Sequence, residues 1–161
     1  MKPSIGLPDD ARGGVVEMLN ALLSDEYLLY TKARNYHWNV FGPQFNDLHK
    51  FLETHYEELE EIVDDVAERA RALGGFAFGT MEEFSKHARL SESPGEHPAA
   101  RHMLANLLSD HESIIRQLRG DANACDEKYH DMGTNDFMIG LMERHEKIAW
   151  MFRAFLEGEP A

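Results

Sequence analysis

The chain has 161 residues, of which 43% are hydrophobic and 28% charged, which is typical of one folded globular domain and excludes a disordered or collagen-like chain. Asp and Glu number 29 against 16 Lys and Arg, and the net charge of −13 repels nucleic-acid phosphates and attracts cations. The single cysteine, Cys125, excludes an intrachain disulfide framework and fits a reducing compartment. Because no stretch reaches the ~20 apolar residues of a membrane span and the first residues lack the apolar core of a secretory signal, we expect a cytoplasmic protein without a membrane partner.

Helix is the predicted conformation for most of the chain, since Leu, Ala, Glu, Met and Arg dominate three long proline-free stretches. A first helix is predicted from about residue 9 to 39, with acidic residues at its start and a turn at 41–43 at its end. A second helix should run from about 45 to 73 and stop at the glycine doublet 74–75.

A second pair of long helices is predicted after a long connection. Residues 76–97 hold a capping-box pattern at Thr80 and Glu83, which predicts one short helix inside the connection. A third long helix is expected over about 98–128, and a fourth begins after Thr134, the predicted N-cap.

Four long helices with one long crossover predict an all-α fold, a ferritin-like four-helix bundle with a short helix in the long connection between its second and third long helices. We expect a single domain over 1–161 with a short N-terminal tail at 1–8. Phosphate loops, nucleophile elbows and zinc-protease helices are absent from the sequence. A Glu-x-x-His pair occurs only at Glu127 and His130, so we do not expect a di-iron centre of the common design inside one subunit.

The second helix carries an acidic stripe beside its apolar stripe. At ~100° per residue, six potential metal ligands fall in a sector of about 100°; they are His49, Glu53, Glu57, Glu60, Asp64 and Glu68. An acidic stripe by itself is usually only the solvent-exposed face of a helix, and that is the alternative interpretation here. Mixed imidazole and carboxylate ligands suit iron or zinc, however, and the turn at 41–43 can return His37 to the start of this helix. The pattern therefore indicates a transition-metal site.

This site cannot close within one chain. His49 and Asp64 are separated by roughly 22 Å along the helix, whereas metal–ligand bonds are ~2 Å long. If two copies of the helix pack antiparallel about a two-fold axis between residues 56 and 57, His49 faces the partner subunit's Asp64 and Glu53 faces the partner subunit's Glu60. The spacing predicts two equivalent intersubunit sites in each dimer.

The runs NYHWNVFGPQFNDLHKFLE, DDVAERARALGG and WMFRAFL resemble the Dps family of mini-ferritins (DNA-binding protein from starved cells) over nearly the whole chain. The family's ferroxidase pattern is His, a second His twelve positions later, an acid four positions further, and then Asp-x-x-x-Glu. The residues at the matching positions are His37, His49, Glu53, Asp64 and Glu68, with Glu53 where some members have Asp. Trp38 matches the tryptophan beside the family's metal centre; a core or interface aromatic is the alternative for this residue.

The resemblance implies two-fold dimers assembled into a hollow homododecamer. Such a shell oxidises Fe(II), preferentially with hydrogen peroxide rather than dioxygen, stores ferric iron and protects against oxidative stress. Zinc is a second metal for the same site. Asp131 and Asp136 resemble the acidic residues that line the family's iron-entry pores, although Asp136 could equally serve the N-terminus of the last helix.

The other histidines lack a partner at ligand spacing except His130, which has Glu127, so surface or hydrogen-bonded structural roles are expected for His87, His97, His102, His111, His130 and His145. Cys125 is expected to be a small buried hydrophobe.

DNA binding is expected to be weak or absent, because residues 1–14 hold Lys2 and Arg12 against Asp9 and Asp10, and the C-terminal GEPA is not basic. Two other function classes stay open. A structural shell without ferroxidase activity would take up no metal. A nucleoid-associated DNA-protecting shell would bind DNA independently of iron binding or oxidation.

Overall fold

The computed structural model describes residues 2–158, in which all regular secondary structure is helical. The helices are α1 (Asp9–Asn39), α2 (Phe45–Ala72), α3 (Met81–His87), α4 (Ala100–Glu127) and α5 (Met132–Leu156). The four long helices and the short helix in the crossover are confirmed. Among these residues no helix is long and apolar enough to cross a membrane. Met1 and residues 159–161, which belong to the predicted domain, lie outside the described part of the chain.

Helices α1 and α2 form an antiparallel hairpin. At one end the guanidinium of Arg12 donates to the carbonyl of Leu73 at 2.9 Å, and at the other the Nδ1 atom of His37 donates to the carbonyl of His49 at 2.8 Å. Helices α4 and α5 form the second hairpin, in which Asn135 donates to the carbonyl of Ala122 at 2.9 Å.

The connection between the hairpins runs the length of the bundle along α1. Its contacts follow α1 in chain order: Asn20 with Phe78, Asp25 with Arg89, and Lys32 with Ser91. Helix α4 then begins beside the end of α1, where Asn106 donates to the Tyr36 hydroxyl at 2.9 Å. Helices α1 and α5 therefore point one way and α2 and α4 the other, which is the ferritin-like arrangement.

The predicted capping box of α3 is confirmed. The Thr80 hydroxyl accepts the Glu83 N–H at 3.2 Å, and the Glu83 carboxylate accepts the Thr80 N–H at 3.0 Å. These two bonds satisfy backbone donors that a helix start otherwise leaves free.

Thr80→Ala is expected to lower the free energy of unfolding by about 1 kcal/mol, because the Thr80 hydroxyl accepts the Glu83 N–H and also donates to the Glu83 carboxylate at 2.9 Å. Thr54→Ala is the matched control, since Thr54 is an exposed threonine inside α2, and it should change stability by less than about 0.5 kcal/mol. Chemical unfolding of both variants measures the difference, and equal losses would contradict the capping role.

The prediction that Thr134 caps the last helix is wrong. The N-cap of α5 is Asp131, whose carboxylate accepts the Thr134 N–H at 3.0 Å. Thr134 lies inside the first turn, where its hydroxyl accepts from Arg69 at 2.8 Å. A carboxylate suits this position better than a hydroxyl because its two oxygens accept from the helix N-terminus and also attract the Arg69 cation.

A chain of four polar side chains crosses the middle of the core, one from each long helix. Glu26, His55, His111 and His145 are each 4% exposed or less. The Nε2 atoms of His55 and His111 are 2.7 Å apart, and the Nδ1 atoms of His111 and His145 are 2.8 Å apart. His145 Nε2 lies 3.0 Å from Glu26 Oε1. We call these four residues the interior histidine chain.

Burial lowers the pKa of two histidines of the interior histidine chain, His55 and His111. Loss of hydration in the core and the neighbouring His145 lower the pKa of His55 to about 3, and loss of hydration lowers the pKa of His111 well below its ordinary value. The hydrogen-bonded structural role expected for His111 and His145 is confirmed, as are the surface positions of the other four histidines in that group, His87, His97, His102 and His130. Cys125 is fully buried, as expected.

Candidate metal centre

His37 and His49 form a preorganised pair at the end of the α1–α2 hairpin where the turn connects the two helices. Their rings stack with centroids 3.8 Å apart. His37 Nδ1 lies 2.8 Å from the His49 carbonyl, and His49 Nδ1 lies 2.9 Å from the His37 carbonyl. A carbonyl oxygen only accepts, so each Nδ1 carries a proton, and in the neutral imidazole each Nε2 then keeps its lone pair. These bonds favour, for the neutral form of each ring, the tautomer that binds a metal through Nε2.

A five-residue turn produces this pairing. Helix α1 ends at Asn39 and α2 begins at Phe45. Gly42 has a φ of +116°, a backbone conformation that other residues rarely adopt, and it lets the chain reverse within residues 40–44. His37, near the end of α1, is therefore placed opposite His49 in the second turn of α2, as the sequence predicts.

The predicted carboxylates divide into two groups along α2. Glu53 is exposed one turn beyond His49, on the same face. Asp64 and Glu68 are also exposed, but they lie about three to four turns further along. No group of three or more His, Cys, Asp or Glu side chains within residues 2–158 is placed to hold a metal ion. In one subunit the predicted ligands therefore form two separate groups and not a complete metal centre; we call the group of His37, His49 and Glu53 the predicted histidine half-site.

Aromatic side chains surround the histidine half-site. The Tyr56 ring meets the His37 ring edge-on, with centroids 5.2 Å apart. The Arg34 guanidinium lies 4.9 Å from the Tyr56 centroid and 5.3 Å from the Trp38 centroid, and it donates to the Tyr30 hydroxyl at 2.6 Å. Trp38 is 64% exposed, so in one subunit its indole lies on the surface against Arg34 and not in the core. Arg34 and Tyr30 were not predicted from the sequence to lie near this site.

The two candidate pore residues have different environments. Asp131 is buried, with 3% of its surface exposed, and its carboxylate caps α5 and contacts Arg69. Asp136 is exposed on the second turn of α5. Because Asp131 already has these partners inside the subunit, Asp136 is the better placed of the two for contact with passing ions, and the pore itself stays a prediction.

Comparison with known proteins gives consistent matches over nearly the whole chain. A family model described as ferritin-like domain matches residues 16–160. A low temperature-induced protein of Nostoc sp. is 51% identical over 157 residues, covering 98% of this chain and 88% of the relative. The DNA protection during starvation protein 2 of Bacillus anthracis is 36% identical over 143 residues, covering 88% of this chain and 96% of the relative.

Solved structures agree with the sequence matches. DpsC from Streptomyces coelicolor superposes with a TM-score of 0.93 at 31% identity, covering 100% of this chain and 93% of that one. The Dps protein from Vibrio cholerae, described as a member of a superfamily of ferritin-like diiron-carboxylate proteins, superposes with a TM-score of 0.90 at 28% identity, covering 96% of each chain. With its two-hairpin topology and its paired histidines, this chain belongs to the Dps family of ferritin-like proteins.

Proposed function

We propose that this protein is a cytoplasmic mini-ferritin that oxidises Fe(II), preferentially with hydrogen peroxide, and stores the ferric product inside a hollow homododecamer. The observation that carries the proposal is the reciprocal bonding of His37 and His49, which leaves both Nε2 lone pairs available one turn from Glu53. A shell of this kind protects the cell against oxidative stress by removing iron and peroxide together.

Fe(II) is the substrate of the site. Imidazoles bind Fe(II), and carboxylates stabilise Fe(III) more strongly because the ion's charge is higher, so a mixed ligand set favours electron loss. Hydrogen peroxide needs two electrons: two Fe(II) ions, one peroxide and two protons give two Fe(III) ions and two waters. A site that holds two irons supplies both electrons at once and avoids release of hydroxyl radical. Zinc fits the same ligands but cannot supply an electron.

The second half of each site comes from a two-fold partner in this proposal. His37, His49 and Glu53 of one subunit meet the partner subunit's Asp64 and the partner subunit's Glu68. Two observations support this arrangement. Phe45 stacks on His49 and is nevertheless 46% exposed, and the nearby Trp38 is 64% exposed, so a partner would bury large apolar surfaces beside the half-site. In the same interface the acidic stripe would meet its own copy, and bound cations would offset that repulsion.

The test is anaerobic loading of the assembled protein with Fe(II), followed by stopped-flow absorbance after addition of hydrogen peroxide or air in parallel. We expect oxidation faster than in protein-free buffer, faster with peroxide than with air, and a ferric product that stays in solution. Oxidation no faster than in buffer would contradict the proposal and favour a structural shell.

DNA retention is expected to be weak or absent at physiological salt. The two basic residues of the N-terminal segment are already engaged, since Lys2 bonds Asp9 at 2.6 Å and Arg12 pairs with the same carboxylate. No free basic arm therefore remains in residues 2–14 to release counterions from DNA; of the C-terminal GEPA, residues 159–161 lie outside the described residues. A gel-shift at ~0.15 M salt is the check, and tight retention of duplex irrespective of sequence would instead favour the nucleoid-associated alternative.

A further inference from the structure

One contact of the interior histidine chain is made by atoms that have no hydrogen-bond partner. His145 Nε2 lies 3.0 Å from Glu26 Oε1, yet the two atoms are not aligned as donor and acceptor, and Glu26 Oε2 has no partner either. Both side chains are fully buried, so water at the surface does not reach these three atoms. Buried polar atoms normally have partners, because a buried charge or lone pair without one costs free energy. The contact therefore favours a further group between the Glu26 carboxylate and the His145 ring.

A divalent transition-metal ion has the chemistry that suits this contact. An imidazole nitrogen and a carboxylate are ligands that Zn(II), Co(II) and related ions bind together. Two ligands at right angles, with bonds of ~2.1 Å, lie ~3.0 Å apart, and this is the separation of His145 Nε2 and Glu26 Oε1. A metal that two ligands share lies off the line between them, so the poor alignment that excludes a hydrogen bond is compatible with coordination. The charge of the ion would also offset the buried charge of the Glu26 carboxylate.

The two histidines behind this contact can orient the ring for such a role. His145 Nδ1 lies 2.8 Å from His111 Nδ1, and His111 Nε2 lies 2.7 Å from His55 Nε2. When His145 holds a metal through Nε2, its Nδ1 carries the proton and donates to His111, which then donates through Nε2 to His55. A metal-bound histidine typically makes such a hydrogen bond with its other ring nitrogen, and the bond fixes the tautomer and the orientation of the ring. His111 and His55 are thus positioning residues and not ligands.

We propose that Glu26 and His145 bind a divalent first-row transition-metal ion in the core of each subunit, with His111 and His55 holding the His145 ring in place. Two residues supply three donor atoms, so this site is not one of the clusters of three or more side chains that residues 2–158 lack. Glu26 belongs to the α1–α2 hairpin and His145 to the α4–α5 hairpin, and the ion therefore joins the two hairpins. The site lies within one subunit and does not depend on the proposed intersubunit centre.

The test measures Co(II) binding to the full-length protein with His37→Ala/His49→Ala, which removes the imidazoles of the intersubunit site. Co(II) is added both to the purified protein and during refolding, so that slow entry into the core is not mistaken for the lack of a site. We expect the protein to bind about one more Co(II) ion per subunit than the same protein with Glu26→Gln. Glu17→Gln is the matched control, since Glu17 is an exposed acid on the same helix, and it should bind as much Co(II) as the parent. Equal binding with and without Glu26→Gln would overturn the proposal and favour an ordered water at this contact.

A second pair of variants decides the question if Glu26→Gln does not fold. His111→Leu removes the acceptor behind His145 and should weaken Co(II) binding by about 10- to 100-fold. His111→Gln should recover part of this loss, because its amide oxygen still accepts the His145 Nδ1–H. His102→Gln is the control, since His102 is exposed on the same helix as His111, and it should leave the affinity unchanged. Unchanged Co(II) affinity in the His111→Leu protein would overturn the proposal.

Discussion

Replacing His49 with Ala is expected to slow rapid Fe(II) oxidation by about 100-fold or more. Mutating a residue that only hydrogen-bonds to a metal ligand typically costs about 10- to 100-fold, and loss of a direct ligand should cost more. The substitution removes one of the two Nε2 lone pairs and also the Nδ1 bond to the His37 carbonyl. Stopped-flow absorbance of ferric product after peroxide addition measures the loss.

Assembly should survive this change, since the His49 side chain lies at the edge of the hairpin and not in the core. Size-exclusion chromatography and the thermal midpoint check that point. His97→Ala is the matched control, because His97 is an exposed histidine in the α3–α4 connection, and it should oxidise iron at the wild-type rate. Wild-type kinetics in the His49→Ala protein would refute the assignment of the site.

The largest loss of stability is expected from Asp25→Ala, at about 3–5 kcal/mol. The Asp25 carboxylate is fully buried; it accepts the backbone N–H groups of Arg89 and Leu90 and pairs with the Arg89 guanidinium at 2.7 Å. Alanine would leave two backbone donors unpaired and the guanidinium without its buried partner. The crossover would then lose its main attachment to α1.

Denaturant unfolding of the Asp25→Ala protein gives the size of this effect, and Asp25→Asn should fall between it and the wild type because the amide oxygen still accepts. Glu146→Ala is the control, since Glu146 forms an exposed ion pair with Arg119 and should cost no more than about 1 kcal/mol. Similar losses at Asp25 and Glu146 would mean that the crossover is not held by this carboxylate.

The helices could be predicted from the sequence because their signals are local. The glycines at 74 and 75, the capping box at Thr80 and the turn around Gly42 each act within a few residues of the chain. The N-cap of α5 was predicted at the wrong residue because the contact that decides it is not local. Asp131 and Thr134 both suit an N-cap, and the choice depends on Arg69, which arrives from a different helix.

Only part of the candidate site could be predicted from the sequence. Spacing located His37 and His49, but the tautomer depends on two backbone carbonyls that face the rings only after the hairpin forms. The interior histidine chain was missed as a unit because each member looks like an isolated polar residue. A signal was present, since His55 occupies a core position of the apolar stripe Leu48, Leu52, Leu59 and Ile62, and His111 and His145 do the same on α4 and α5.

The distance along α2 between the histidine half-site and Asp64 has a genetic consequence. If each centre draws on two subunits, two inactive variants can restore one another. A mixed dimer of His49→Ala and Asp64→Asn subunits would hold one centre with both defects and one with none. Random co-assembly in equal amounts would then recover about one quarter of all centres, although neither parent alone has any.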